Sequence, residues 1–280
     1  MSAPAENVAD LAGTLKAELA AASFEVPLLP QVASEVLSST LDDRSNAQNL
    51  ASLIDKDQGL ASHIMRVVNS PGFRGSSDIV SLKQGIARLG MERIREIALT
   101  ISLKGTLFKP CRFDDLIQQS WELGLTAALW AKEIARVARK NVEIAYLCGL
   151  LHNVGVPIVV HRVLELDPEI SADQAHALCL EFGPLAGAVL VDKWRLPSVV
   201  ATCISHLQPD QSPPESQAEL DAVKVIEAAR VIASFGFEEE IEGEQLTAHD
   251  AFQYLNFYPD DVADLIANQS QLAEVVEGMR

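Results

Sequence analysis

One histidine in the sequence has the neighbours expected of a chemical site. His152 and Asn153 follow the strongly apolar run 145–151 and precede Gly155. Because the chain turns at a helix end, the side chains of two adjacent residues can both reach the same ligand there. An imidazole nitrogen beside a carboxylate oxygen can bind a divalent metal ion. Asn153 supplies only a neutral amide oxygen, so we expect no metal and no cofactor at this pair.

The other reactive side chains do not define a second site. Cys148 lies in the same apolar stretch as His152, where burial raises a thiol pKa, so we interpret it as inert. None of the four cysteines forms a CxxC pair. The sequence also lacks a glycine-rich phosphate loop and a GxSxG nucleophile turn. Covalent catalysis and nucleotide hydrolysis of these types are therefore not predicted.

Helices must position these residues. Ala, Leu, Glu and Gln dominate, and apolar residues recur at spacings of three and four. The longest such pattern covers about 113–139, after a break at Lys109-Pro110. We predict an all-α chain with an N-terminal extension (1–24), an N-terminal helical subdomain (25–110), a helical bundle (111–236) and C-terminal helices (237–280). The last group is expected to pack on the bundle through four apolar residues: Phe252, Leu255, Leu265 and Ile266.

Composition and charge narrow the class of protein. The chain has 280 residues, 48% of them hydrophobic, and a formal net charge of −17. This composition excludes a mainly disordered chain. Residues 1–140 hold 16 basic and 16 acidic residues, whereas residues 141–280 hold 6 and 23. The acidic half would repel nucleic acid and anionic lipid. With no unbroken apolar run of about 18 residues and no signal-peptide pattern, we expect a cytoplasmic protein that binds neither nucleic acid nor membranes.

Several short segments occur in the order of one family's motifs. Residues 149–155 (GLLHNVG) look like the signature GLLHD-(I/V)-G of HD-domain proteins. Further segments are similar to the LP, I-x-x-DPxL, R-x-x-NSxxF, AI-x-LG and W-x-LP patterns of HDOD (HD-related output domain) proteins: 29–30, 54–60, 66–73, 86–90 and 182–206. The chain thus resembles HDOD proteins, degenerate members of the HD superfamily. The motif positions of structural interest are Asn69, Ser70, Phe73, Gly90, Gly155, Trp194 and Pro197.

The resemblance also indicates which ligands are missing. Active HD phosphohydrolases bind metal through an early His, the His-Asp pair and a late Asp. The matching positions here are Leu123, the pair His152-Asn153, and a place near Arg230. His206 matches one histidine of the family's HH pair, and Leu207 replaces the other; His206 could pair with His152. The resemblance therefore implies an HD-like bundle with a vestigial pocket (Leu123, His152, Asn153, His206), no metal and no catalytic residues.

The function implied is that of a non-enzymatic bacterial signal-transduction module acting through protein contacts. HDOD proteins are associated with cyclic-di-GMP and two-component regulation, so the expected partner is a signalling protein. Two alternatives stay open: a metal-dependent phosphohydrolase with a rearranged site, and a sensor that binds a nucleotide or another small ligand in the vestigial pocket. The sequence does not indicate the oligomeric state.

Overall fold

The described part of the chain is helical. The computed structural model describes residues 4–21, 24–40, 47–73, 75, 77–206, 212–237 and 241–279, and its regular elements there are helices without a strand. The predicted all-α class is confirmed. The helices are α1 Pro4–Ala20, α2 Gln31–Thr40, α3 Ala47–Ile54, α4 Gln58–Val68, α5 Leu82–Leu89, α6 Met91–Leu107, α7 Asp114–Val137, α8 Val142–Leu151, α9 Gly155–Leu166, α10 Ala172–Lys193, α11 Ser198–His206, α12 Gln217–Ser234, α13 Gly243–Ala248, α14 Asp250–Tyr254, α15 Pro259–Ile266 and α16 Gln269–Met279.

The chain divides into two compact units. The larger unit comprises Met1–Pro27 and Leu107–Ala263, and the smaller unit comprises Leu28–Thr106 and Asp264–Arg280. The division differs from the sequence-based one at the ends of the chain, because each terminal segment joins residues far away in sequence. Of the four apolar residues expected to pack on the bundle, two belong to the larger unit and two to the smaller: Phe252 and Leu255, and Leu265 and Ile266, respectively.

In the larger unit, α7 and α8 pack closely, and α12 lies against both. Glycines allow this approach: a Cβ at Gly149 would lie 2.6 Å from the Ala128 Cα. A second pair of helices, α9 and α10, meets where Gly155 contacts the Gly183 carbonyl. Backbone-to-backbone packing of this kind fixes the end of α8, and with it the position of His152.

In the smaller unit, the loop after α4 is held by one asparagine. The Asn69 amide donates to the Met65 and Ile79 carbonyls, both at 2.9 Å, and its Oδ1 accepts the Ile79 N–H at 2.8 Å. The C-terminal helix α16 packs on this region, since a Cβ at Gly72 would lie 2.6 Å from the Glu274 backbone. The predicted turn at 69–72 therefore also receives a distant helix.

Two stretches have the length and apolar composition of a membrane span: Val142–Leu166, which comprises α8, α9 and the turn between them, and Ala172–Lys193. Neither stretch is an unbroken apolar run, so the sequence pattern did not reveal these two stretches. In the fold, 78% and 50% of their most apolar windows are buried within the protein. Core helices meet the same criteria, so these stretches do not assign the chain to a membrane.

Candidate functional site

His152 is the buried residue that ends α8. Its side chain is 6% exposed, and its Nδ1 lies 2.7 Å from the Gly149 carbonyl oxygen. A carbonyl only accepts, so this contact places the proton of the neutral ring on Nδ1. Nε2 then carries a lone pair, and this atom is buried without a hydrogen-bond partner among the residues that the structure describes.

The surroundings of His152 oppose positive charge on the ring. Burial, and secondly the guanidinium of Arg230, lower the pKa of His152 to about 4, although the Gly149 hydrogen bond acts in the other direction. The imidazole is therefore neutral near pH 7. Its Nε2 therefore carries no proton, and the charge of Arg230 acts on the same ring.

Asn153 ties the end of α8 to α7. Its amide nitrogen donates to the Ser120 carbonyl at 2.8 Å. Its Oδ1 is buried, has no hydrogen-bond partner in the described part of the chain, and lies 3.1 Å from the place a Cβ would take at Gly124. The glycine thus gives Asn153 the room to approach α7. Together, His152 and Asn153 present two unsatisfied buried acceptors, an unusual arrangement in a protein interior.

The other two residues of the predicted pocket contribute less. Leu123 lies half-buried on α7, one residue before Gly124, and offers no donor or acceptor. His206 is the last residue of α11, and its Nδ1 lies 2.9 Å from the Thr202 carbonyl of the same helix. Because His152 Nε2 has no hydrogen-bond partner, the two histidines are not hydrogen-bonded. Leu207 lies outside the described residues.

Arg230 affects His152 in a way that the sequence did not indicate. It lies half-buried on α12, and burial lowers its pKa while Glu227 partly offsets that effect. The Glu227 carboxylate also lies 2.7 Å from the Lys224 ammonium, so its negative charge interacts with both Lys224 and Arg230. The sequence identified this position as one without a carboxylate, but only the packing of α12 against α8 brings the cation to His152.

This donor set does not fit the divalent metal ion that HD enzymes use. It offers one imidazole nitrogen and one neutral amide oxygen, with a guanidinium nearby in place of a carboxylate. Within the described residues, no three His, Cys, Asp or Glu side chains are grouped so as to hold a metal ion. Burial and the charge of Arg230 disfavour a proton on the His152 ring, and for the same reason they disfavour a divalent cation at its Nε2 lone pair.

Cys148 is not an activated nucleophile. A hydrogen bond with the Cys203 side chain, and then burial, raise the Cys148 pKa well above its usual value. The Cys148 Sγ also lies 4.0 Å from the Val199 carbonyl oxygen on α11. A thiol in such surroundings stays protonated and is chemically inert.

The motif positions have mainly structural roles. Gly90 ends α5 with φ of 85°, a left-handed conformation that glycine adopts without strain. Phe73 is buried, with the Arg93 guanidinium 5.5 Å from its ring centroid. Ser70 contacts the C-terminal helix at Gly278.

The W-x-LP motif anchors the extended segment that precedes α2. The Trp194 ring is buried, and its Nε1 donates to the Pro27 carbonyl at 2.8 Å. Its neighbour Lys193 donates to the Phe24 carbonyl at 2.6 Å. Pro197 directly precedes α11 and lines a cavity of the larger unit. These contacts explain why the motif contains an aromatic residue with a hydrogen-bond donor.

The helical architecture and the His152 turn define an HD-like fold. The chain belongs to the HDOD domain family, which it matches over residues 26–209. Among curated proteins, an uncharacterized protein of Treponema pallidum (strain Nichols) is 23% identical over 209 residues, covering 68% of this chain. The chain spans only 39% of that relative's length.

Solved structures share the fold over nearly the whole chain. An HDOD domain protein of unknown function from Geobacter sulfurreducens gives a TM-score of 0.72 at 20% identity, covering 99% of both chains. A protein of Shewanella amazonensis SB2B, provisionally named a metal-dependent phosphohydrolase, gives 0.74 at 19% identity, covering 98% of this chain and 100% of the other. A protein of Marinobacter aquaeolei VT8, provisionally named a signal transduction protein, gives 0.68 at 18% identity, covering 97% and 68%.

Proposed function

We propose that this chain is a bacterial signal-transduction module that acts through protein contacts and has no enzymatic activity. The observation that carries the proposal is the donor set at the end of α8: one buried imidazole and one neutral amide, packed against the α12 helix that bears Arg230 and with no third metal ligand grouped there among the described residues. A hydrolytic HD site needs a metal ion to polarise phosphate and activate water. The names of the structural neighbours include both a signal transduction protein and a phosphohydrolase, and the donor set around His152 in this chain supports the first of these functions.

The loss of metal affinity should be large. Disturbing even an outer-shell partner of a metal ligand typically costs about 10–100-fold in affinity. Here Leu123 and Asn153 take the places of two metal ligands without supplying a charged or basic donor, and Arg230 brings a positive charge to the place of a third. Three protein ligands are the usual minimum for a catalytic zinc site. A single imidazole and an amide oxygen fall short of that number.

Metal content and phosphodiester hydrolysis test the proposal directly. The purified chain is incubated with Mn²⁺, Fe²⁺ or Zn²⁺, desalted, and analysed for bound metal and for hydrolysis of bis-p-nitrophenyl phosphate. We expect neither stoichiometric metal nor turnover. Bound metal or turnover that is lost in His152→Ala would overturn the proposal and favour the phosphohydrolase alternative.

A restored variant provides the positive control. Leu123→His, Asn153→Asp and Arg230→Asp together supply the donors that the HD pattern requires. This variant should gain metal binding, and adding His152→Ala should abolish the gain. The double variant Leu123→His/Asn153→Asp, which keeps Arg230, is the matched comparison, and it should bind less metal than the triple variant because the guanidinium remains.

The charge of the larger unit supports a protein partner with a basic surface. Residues 1–27 and 107–263 contain 12 Lys and Arg against 28 Asp and Glu, whereas the smaller unit contains 10 against 11. Complementary charge raises association rates and makes them sensitive to salt. We propose a cytoplasmic signalling protein as the partner, in a cyclic-di-GMP or two-component pathway.

Cross-linking in cells followed by mass spectrometry tests this contact. Cross-links to one signalling protein should concentrate on the larger unit, and that complex should weaken as salt is raised. Cross-links confined to the smaller unit would contradict the proposed surface. The nucleotide-sensor alternative is tested by thermal shift with cyclic-di-GMP, because a ligand at 100 times its Kd adds about 2.7 kcal/mol of stability.

A further inference from the structure

The smaller unit contains a cleft that the HD-like site does not use. It has a volume of about 440 Å³ and lies between the start of α2, the end of α3, α4 and the end of α6. This volume is within the range of small-molecule pockets. Two of the segments that carry the family resemblance, Leu29-Pro30 and 54–60, contribute to its wall.

The cleft has an apolar side. Leu53 and Leu60 are buried beneath it, and Val32 and Ile101 line it as half-buried residues. On α6, Gly105 leaves an opening, since a Cβ placed there would meet no atom within 4 Å. An apolar group entering here would bury its surface against aliphatic side chains, which is favourable.

The other side of the cleft is polar, and its charged lining residues are Lys56 and Asp57. Lys56 is exposed at the rim, and the structure shows no ion pair to it within the described residues. His63 lies deeper, and burial, then Arg66 and Lys104, lower its pKa. The carboxylate at the rim is Asp57, whose Oδ1 accepts the Leu60 N–H at 3.0 Å as the cap of α4.

We infer that this cleft binds a small organic anion, in which a carboxylate, sulfonate or phosphate monoester is attached to a compact apolar group. The anion would face Lys56, with His63 as a neutral hydrogen-bonding neighbour, and the apolar group would lie toward Gly105. A second cavity of about 420 Å³, in the larger unit, is lined by Glu219, Asp221 and Lys140, and this lysine differs from Lys56 because it is paired with Asp221 at 2.7 Å. The inference is independent of the proposed function.

Fluorescence of two matched probes tests the charge requirement. The anionic 1-anilinonaphthalene-8-sulfonate and the neutral N-phenyl-1-naphthylamine share the apolar ring system but differ in the sulfonate. A charge-assisted contact corresponds to about a tenfold change in Kd. We expect the anionic probe to bind about tenfold more tightly at low salt, and Lys56→Gln to remove most of that difference. Equal affinity of the two probes would overturn the inference.

Two substitutions at Gly105 test the location. Gly105→Leu fills the opening, and Gly105→Ala adds only a methyl group; both replace a helical glycine with a better helix former, so neither should lower thermal stability. Gly105→Leu should weaken binding of the anionic probe about tenfold or more, whereas Gly105→Ala should leave it within about twofold. Unchanged binding in Gly105→Leu would place the probe elsewhere and refute the site.

Discussion

The buried neutral His152 predicts that the larger unit loses stability in mild acid. The pKa of this ring is lowered to about 4 in the folded protein, against 6.5 for an ordinary histidine. In the unfolded chain the ring gains a proton as the pH falls below 6.5, whereas in the folded chain it stays neutral until the pH approaches 4. Protonation therefore favours unfolding, and the stability present above pH 6.5 is lost as the pH falls toward 4.

The magnitude follows from the two pKa values. The free energy of unfolding should fall by about 1 kcal/mol at pH 5.5 and by about 2.5 kcal/mol at pH 4.5, relative to pH 7.5, through this residue alone. His152→Asn removes the titrating ring and retains an amide that can donate to the Gly149 carbonyl. Carboxylates also contribute to acid sensitivity, but they contribute to both proteins and cancel in the comparison.

Urea unfolding followed by tryptophan fluorescence is the appropriate assay. The three tryptophans (Trp121, Trp130 and Trp194) all lie in the larger unit, so the signal reports the unit that contains His152. Between pH 7.5 and 4.5 the parent protein should lose about 2.5 kcal/mol more than His152→Asn. His176→Asn, at an exposed position of α10, controls for the loss of a histidine elsewhere in the same unit. Parallel losses in the parent and in His152→Asn would refute the reasoning.

Two further predictions concern packing in the larger unit. Gly149→Ala should cost about 2 kcal/mol or more in urea unfolding, because its Cβ would lie 2.6 Å from the Ala128 backbone. Gly13→Ala on α1 of the same unit, with open space around its Cβ, should be neutral or stabilising. Trp194→Phe should cost about 1 kcal/mol by leaving the half-buried Pro27 carbonyl without its donor at 2.8 Å, and limited proteolysis near residue 27 should become faster. Unchanged cleavage would contradict that anchoring role.

Much of the local structure could be predicted from the sequence because short-range signals determine it. The long helix predicted over 113–139 is found at Asp114–Val137, and the turn at 69–72 follows α4 as expected. Helical periodicity and turn residues act over a few positions, so a single sequence reveals them. The position of His152 at a helix end follows from the same kind of signal.

Contacts between distant segments could not be predicted in this way. Arg230 affects His152 across 78 positions of sequence, and nothing in the local pattern of α12 indicates which neighbour its guanidinium faces. The docking of α16 at Gly72 is similar, since a glycine in a turn already has a local explanation. Long-range packing of this kind depends on the complete fold.

The chain crosses between the units after residues 27, 106 and 263, so each unit is built from two separate pieces. During synthesis, residues 28–106 leave the ribosome well before α16, which packs on α4. At about 5–20 residues per second, the intervening residues take about 10–30 s to make. For that interval the Gly72 surface lacks the helix that covers it in the folded protein, so this segment of the nascent chain exposes a face that α16 later buries.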